Sequence, residues 1–299
     1  MPANQTDHAK GLLITGIGGL ALTVDIPLLK LANGEAWSVL MLRTGVTFLA
    51  ALAIWTVWRL ITPSAPKLVP GRKGLLVAAL YGLGSIFFVT GVYHTTTANL
   101  VFILAFNTMF AALLSWIFLG ERPRPATLLA MAVMIVGILI IVWDSVGTGN
   151  LFGDLMAACS GLTIASAITI SRASGENMGF TSIIGVVFPF AVAAFMVGGS
   201  ALQVEQPWWI ILNGAVIMPL SFFCLAAGPR YISGPEVAMF YLLETVLAPV
   251  WMWIIFYETP STNSLIGGVI MLVALLAHSC WQLYQGHRRR AANAVSYPA

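Results

Sequence analysis

Residues 114–125 read LSWIFLGERPRP, and residues 252–260 read MWIIFYETP. Each stretch closes an apolar run with a Trp, four residues and a Glu: Trp116 to Glu121, then Trp253 to Glu258. Only the first is followed by arginines, Arg122 and Arg124. Laying Glu121 on Glu258 without gaps also aligns Thr108 with Thr245, Ala111 with Ala248 and Ile117 with Ile254. Apolar helices match by chance at this level, so the place of the two endings in the membrane topology has to carry the argument.

The 299-residue chain is 59% hydrophobic and 8% charged, whereas soluble domains are about 25% charged. Its mean hydropathy of +0.91 agrees. A net charge of +3 is too small to suggest a nucleic-acid partner. A helix needs about 20 apolar residues to cross a hydrocarbon core of about 30 Å. Runs bounded by Pro, Gly and charge predict ten such helices, near 11–31, 36–58, 74–95, 97–119, 126–143, 153–172, 181–200, 208–228, 234–256 and 262–284. Continuous runs of this length are not the short alternating strands of a closed barrel, the other spanning solution. The expected fold class is an all-α integral membrane protein with the lipid bilayer as its surroundings. No cleavage-site pattern follows the first run, which is therefore read as a retained helix. Cys159, Cys224 and Cys280 each lie in an apolar run without disulfide or metal-ligand spacing, so neither a metal nor a cofactor is expected.

Charge sets the orientation. With the N-terminus in the cytoplasm, ten crossings place Lys10, Arg59, Lys67, Arg72, Lys73, Arg122, Arg124, Arg172, Arg230 and Arg288 to Arg290 on the inner side, twelve of the fourteen basic residues. The outer loops then hold Glu35, Asp144, Asp154, Glu205 and Glu258, with Lys30 as the nearby cation. Trp37, Trp58, Trp143, Trp208, Trp209 and Trp281 fall near span ends, as interface anchors do. Glu121 closes span four and Glu258 closes span nine, five crossings apart, so the second copy is inverted. Only the copy ending in the cytoplasm needs arginines. The expected organisation is a cytoplasmic N-terminus 1–10, a five-helix repeat 11–143, an external linker 144–152, a second repeat 153–284 and a cytoplasmic tail 285–299. Inverted repeats mark secondary transporters, whose sites lie near the bilayer midplane between the halves.

The segments FLGERPRPATLLA and IFYETPSTNSLIGG follow a pattern of apolar helix, LGE, polar turn and a further helix with an early Gly. In this the chain resembles the drug/metabolite transporter superfamily, specifically its EamA-type members. Ala130 replaces the early Gly in the first copy; Tyr257 replaces the Gly before Glu in the second, which keeps Gly267. The resemblance covers almost the whole chain and is nearest in character to bacterial exporters of aromatic and other amino acids. It implies export of a small metabolite across a bacterial inner membrane by alternating access. Drugs and other metabolites are the alternative cargo, and protons are a candidate coupling ion.

Ionisable groups inside a membrane cost a few kcal/mol on insertion scales, about 3 for Asp or Arg, so each is a candidate site. Asp25 in span one and Arg43 in span two lie at similar depth; they are candidates for an ion pair, for gating or for binding a zwitterion. Glu244, mid-way along span nine, aligns with Asn107 in span four. Polar residues at equivalent depths of inverted helices are candidates to line a shared cavity and to orient a substrate; holding the bundle together is the alternative. Phe106, Phe110, Tyr241 and Trp251 are candidate apolar walls, and Tyr93 and His94 candidates at a cavity mouth. Thr96 or Thr97 is expected to cap span four, and Glu236 to lie in the first turn of span nine. Pro189, Pro219 and Pro249 are candidate kinks.

An intramembrane enzyme is the rival from another class, through Ser160 in ACSGL and His278 in LLAHSCW. Their depths place them in opposite leaflets, too far apart for a hydrogen-bonded dyad. No HExxH pattern is present either. No enzyme activity is expected.

Overall fold

A computed structural model describes residues 5–62, 68–174, 179–227, 231–232 and 234–296. Lys67 and Arg230 lie outside them, as do the side chains of Arg172, Glu236 and Arg288 to Arg290. Among the described residues, fourteen α-helices and one π-helical turn follow in order: α1 Gln5–Leu22, α2 Asp25–Leu31, α3 Ala36–Ile61, α4 Gly71–His94, α5 Thr97–Ala105, α6 Asn107–Leu119, α7 Pro125–Thr148, α8 Leu151–Ser174, α9 Gly179–Ile184, α10 Val187–Val197, α11 Pro207–Leu212, the π turn Asn213–Ile217, α12 Met218–Ala227, α13 Gly234–Phe256 and α14 Thr262–Ser296. Several are halves of one span. Nine stretches among the described residues are long and apolar enough to cross a membrane, with α1–α2 and α5–α6 each counted as one. Span seven is divided between α9 and α10, whose apolar part is the shorter helix Val187–Val197.

The breaks have local causes. Thr23 Oγ1 donates to Leu20 O (2.7 Å) at the end of α1, and Thr108 Oγ1 donates to Ala105 O (3.3 Å) at the end of α5. Such back-bonding draws a carbonyl away from the helical ladder and bends the chain. In span seven, α4 crosses the break itself: a Cβ on Gly185 would meet Ala78 O at 2.5 Å, and one on Gly82 would meet Gly185 O at 2.6 Å. Pro189 falls in the first turn of α10, where proline is tolerated, and Pro219 falls just past the π turn that runs into α12. Pro249 lies inside α13, which continues past it.

Packing follows the inverted repeat. The most extensive pairs are α4 with α8, α14 with α7, α1 with α12, and α10 with α3. In span numbers these are three with six, ten with five, one with eight and seven with two. Exchanging the halves converts the first pair into the third and returns the other two to themselves. Glycine permits the closest approaches. A Cβ on Gly153 would sit 2.3 Å from His94 C, and one on Gly267 would sit 2.5 Å from Gly137 O.

The two Glu endings share one geometry. Gly120 N donates to Trp116 O (3.2 Å) and Glu121 N to Ser115 O (3.3 Å); Tyr257 N donates to Trp253 O (3.0 Å) and Glu258 N to Met252 O (3.3 Å). Both helices thus end through a left-handed residue, Gly120 at φ 70° and Tyr257 at φ 56°, with the next N–H reaching back six residues. Tyr257 holds a conformation that glycine adopts at lower cost.

Candidate functional site

The break between α1 and α2 presents Asp25 to α3. Arg43 Nη2 donates to Asp25 Oδ2 at 2.8 Å and to Oδ1 at 3.0 Å. Asn213 completes a triad: its amide donates to Asp25 Oδ1 (2.7 Å), and its oxygen accepts from Arg43 Nε (3.2 Å). All three are buried, at 3%, 7% and 0% exposure. The π turn delivers Asn213. Its neighbour Gly214 lies so close to α3 that a Cβ would meet Arg43 O at 2.8 Å. Wide turns of this kind are frequent at functional sites. Arg43 also lies over the Phe88 ring, 5.5 Å from its centroid.

Glu244 lies within electrostatic reach of both Asp25 and Arg43. Its side chain is half-buried on α13. Among the described residues its carboxylate forms no hydrogen bond or salt bridge. Tyr241, one turn earlier on α13, lies within electrostatic reach of Glu244 and of Tyr81 on α4. Trp251, two turns further on the same face, donates from Nε1 to Thr23 Oγ1 at 3.1 Å and so ties α13 to the α1–α2 break. The crossing is close because Gly19 would meet Phe240 O at 2.7 Å if it carried a Cβ.

Asn107 begins α6, which packs on α8 while α5 packs on α13. A Cβ on Gly161 of α8 would lie 3.7 Å from Asn107 Cβ and from a Phe110 ring carbon. Phe106 and Phe110 meet edge to face at 4.9 Å. The structure therefore groups Asn107 with Phe106, Phe110 and α8, and Glu244 with Asp25, Arg43 and Tyr241. Spans four and nine meet through α5 and diverge where α6 begins. Tyr93 and His94 stand apart from both groups. The Tyr93 hydroxyl donates to Leu29 O at 3.5 Å; the His94 ring sits 2.8 Å from Thr90 O and edge-on to Phe152 at 5.2 Å.

At the Glu258 end three elements are cross-linked. Lys30 Nζ meets Glu258 Oε2 at 2.8 Å, and Thr97 N donates to Glu258 Oε1 at 2.6 Å. One carboxylate thereby joins the end of α2, the start of α5 and the end of α13. Thr96, as the N-cap of α5, accepts from Asn99 N. Beside this knot, the α2–α3 and α10–α11 loops pair through Glu35 N to Gln203 O (2.9 Å), Glu205 N to Asn33 O (3.1 Å) and Gln206 N to Ala32 O (3.0 Å). Asn33 Nδ2 adds a bond to Glu205 Oε2 at 2.6 Å.

Asp154 corrects the expectation of a loop anion. It lies in the first turn of α8, is 2% exposed, and accepts from Thr95 Oγ1 and Asn99 Nδ2. Asn99 also donates to Ser145 (2.9 Å) and accepts from Ser264 (2.5 Å), so one buried amide links four spans. Sequence reasoning missed this cluster, Asn213 and Tyr81. An amide followed by Gly within an apolar run was the available signal for Asn213. The rival enzyme residues are held elsewhere: Ser160 Oγ donates to Gly84 O (3.0 Å), and His278 Nε2 pairs with Thr127 Oγ1 (2.9 Å). Among the described residues no group of His, Cys, Asp and Glu could hold a metal.

A family model described as the EamA-like transporter family matches the chain twice, over residues 9–143 and 151–279. The pseudopaline exporter of Pseudomonas aeruginosa is 23% identical over 284 residues, covering 90% of this chain and 95% of the exporter. An uncharacterised transporter of Archaeoglobus fulgidus is 24% identical over 257 residues, 82% of this chain and 87% of its own. One from Synechocystis is 23% identical over 237 residues, 73% and 64%. A solved crystal structure superposes with a TM-score of 0.62 at 16% identity, covering 91% of this chain and 97% of the other, a likeness of fold. Two family matches on two inverted halves of one helical bundle lead to one conclusion: the chain belongs to the EamA-like transporter family, and it is a multi-pass membrane transporter and not an enzyme.

Proposed function

We propose that the protein exports amino acids, aromatic and other neutral ones, across a bacterial inner membrane by alternating access, with both termini in the cytoplasm. The observation that carries this reading is the Glu244 carboxylate, without a hydrogen bond or salt bridge among the described residues and within electrostatic reach of the Asp25–Arg43 pair. A carboxylate in an apolar bundle is costly unless it has work to do, and a substrate ammonium suits it. Tyr241 and Trp251 supply aromatic surface on the same helix. Asn107, Phe106 and Phe110 form a second flank beside Gly161.

On this reading the Glu258 end is the outer face, cross-linked here, and α6 diverges from α13 toward the cytoplasm. Release outward requires the Lys30–Glu258 pair and the loop pairing to part. Counterflow in proteoliposomes with the twenty amino acids tests the proposal. Saturable exchange of aromatic and other neutral members is expected. No exchange of any amino acid, in a preparation shown to be folded, would refute it. Export of a larger metabolite is the second reading, supported by the exporter of pseudopaline among the relatives.

A further inference from the structure

One end of the α7–α14 pair carries more positive charge than its packing uses. The span of α7 begins at Pro125 and that of α14 ends at Gln285, so both reach the membrane surface here. Arg122 and Arg124 stand just before Pro125, and both are exposed. Arg124 lies over the Trp281 ring of α14, 5.6 Å from its centroid. That ring is held in place. It stacks on His278 at 6.2 Å, and His278 Nε2 meets Thr127 Oγ1, in the first turn of α7, at 2.9 Å. Leu128, one turn along α7 from Arg124 and 44% exposed, begins the apolar surface of the span. Past Trp281, α14 runs on to Ser296, and this stretch of sequence carries Arg288 to Arg290. Five of the fourteen basic residues thus belong to one end of one helix pair. Glu121 is the acid beside them; the next on α7 is Asp144, at the opposite end, and none follows Glu258. Among the described residues neither Arg122 nor Arg124 forms a salt bridge.

Two exposed guanidinium groups at the depth of the headgroups, above an apolar helix face, suit a ligand with a phosphate at one end and acyl chains at the other. We propose that this corner binds an anionic phospholipid, with its phosphate on Arg122 and Arg124 and its acyl chains starting along Leu128. Guanidinium matches phosphate geometry through paired N–H donors, which an ammonium cannot do. Trp281 fixes Arg124 at interface depth, where an indole ring is itself at home. Arg288 to Arg290 add to the positive field that draws the anionic lipid in. On the orientation proposed above this is a lipid of the cytoplasmic leaflet. The site lies away from the triad and Glu244, so it does not depend on what the protein carries.

The test is lipid binding by the full-length protein in detergent, followed by native mass spectrometry. The probes are phosphatidylglycerol and phosphatidylcholine with the same acyl chains. At about 1 kcal/mol per cation toward an anionic lipid, two arginines support a preference for phosphatidylglycerol of about thirtyfold. Arg122→Gln with Arg124→Gln should bring the two lipids within about twofold. Arg72→Gln with Lys73→Gln removes two other exposed cations, at the start of α4, and should leave the preference intact. Equal binding of both lipids by wild-type protein would overturn the proposal. So would an equal loss in the two double variants, since the attraction would then be diffuse and belong to no site. Millimolar inorganic phosphate should not displace phosphatidylglycerol; displacement would make this a site for a free anion and refute the lipid assignment. Should the Arg122 and Arg124 variant not fold, the wild-type preference and the phosphate competition decide.

Discussion

Neutralising one member of the buried triad should cost far more than neutralising two. In Asp25→Asn the Arg43 charge keeps its place, 7% exposed, but loses both carboxylate bonds of 2.8 and 3.0 Å. Removing one partner of a buried ion pair costs about 3–5 kcal/mol, because the other charge is stranded. At about 2–4 °C per kcal/mol for chains somewhat shorter than this one, melting should fall by about 6–20 °C. Arg43→Gln should cost a similar amount, stranding Asp25 with Asn213 alone. The double variant Asp25→Asn with Arg43→Gln removes both charges and should recover much of the loss. Asn213→Ala is the milder perturbation. It deletes three hydrogen bonds, at 2.7, 3.2 and 3.4 Å, for about 2 kcal/mol, since membrane-embedded bonds are worth about 0.6 each. The assay is thermal unfolding in detergent, followed by loss of the monodisperse chromatographic peak. A double variant as unstable as the worse single one would refute the pairing argument. A single neutralisation with unchanged melting would refute the stranded-charge argument outright.

Three other outcomes follow from the geometry. In a background lacking native cysteines, Gln203→Cys should react with an impermeant thiol reagent from outside the cell and Ser64→Cys should not; the reverse pattern would invert the topology. Cysteines at Asn33 and Glu205, whose side chains bond across the paired loops, should form a disulfide that stops counterflow and releases it on reduction; unimpaired transport in the cross-linked protein would show that these loops never part. Gly153→Ala places a methyl group 2.3 Å from His94 C, and overpacking against backbone should cost at least about 1–3 kcal/mol, read as lost melting temperature. Wild-type melting there would mean that α4 and α8 pack less closely than described.

The sequence carries the fold well because bilayer physics writes it in long runs. Apolar length marks nearly every span, and the Glu121 and Glu258 endings fold into the same turn. The pairing of Asp25 with Arg43 was legible from depth alone, since two buried charges at one level seek each other. Span seven reads as one run over 181–200, and its break at Gly185 escaped the sequence because it is set by the approach of α4, a tertiary fact. Asn213 escaped notice for a related reason: one amide among apolar residues signals a polar contact but not its partner, which comes from the opposite repeat. Asp154 looked like a loop anion because it follows a Gly-rich segment, and only the fold brings Asn99 and Thr95 onto it. Depth symmetry also suggested that Asn107 and Glu244 share one wall. In the fold Asn107 opens α6, which packs on α8, while α13, which carries Glu244, packs on α5.

Whether substrate binds at mid-membrane through the Glu244 carboxylate is tested most directly by amino-acid counterflow with Glu244→Gln, compared with wild-type protein of equal insertion and melting. The variant keeps the shape of the side chain and removes its charge. Exchange of aromatic and other neutral amino acids should fall at least about tenfold, the loss of one charge-assisted bond of about 1.5–3 kcal/mol to a buried ligand. Exchange at the wild-type rate across the whole amino-acid panel would contradict the account and leave Glu244 without a part in binding.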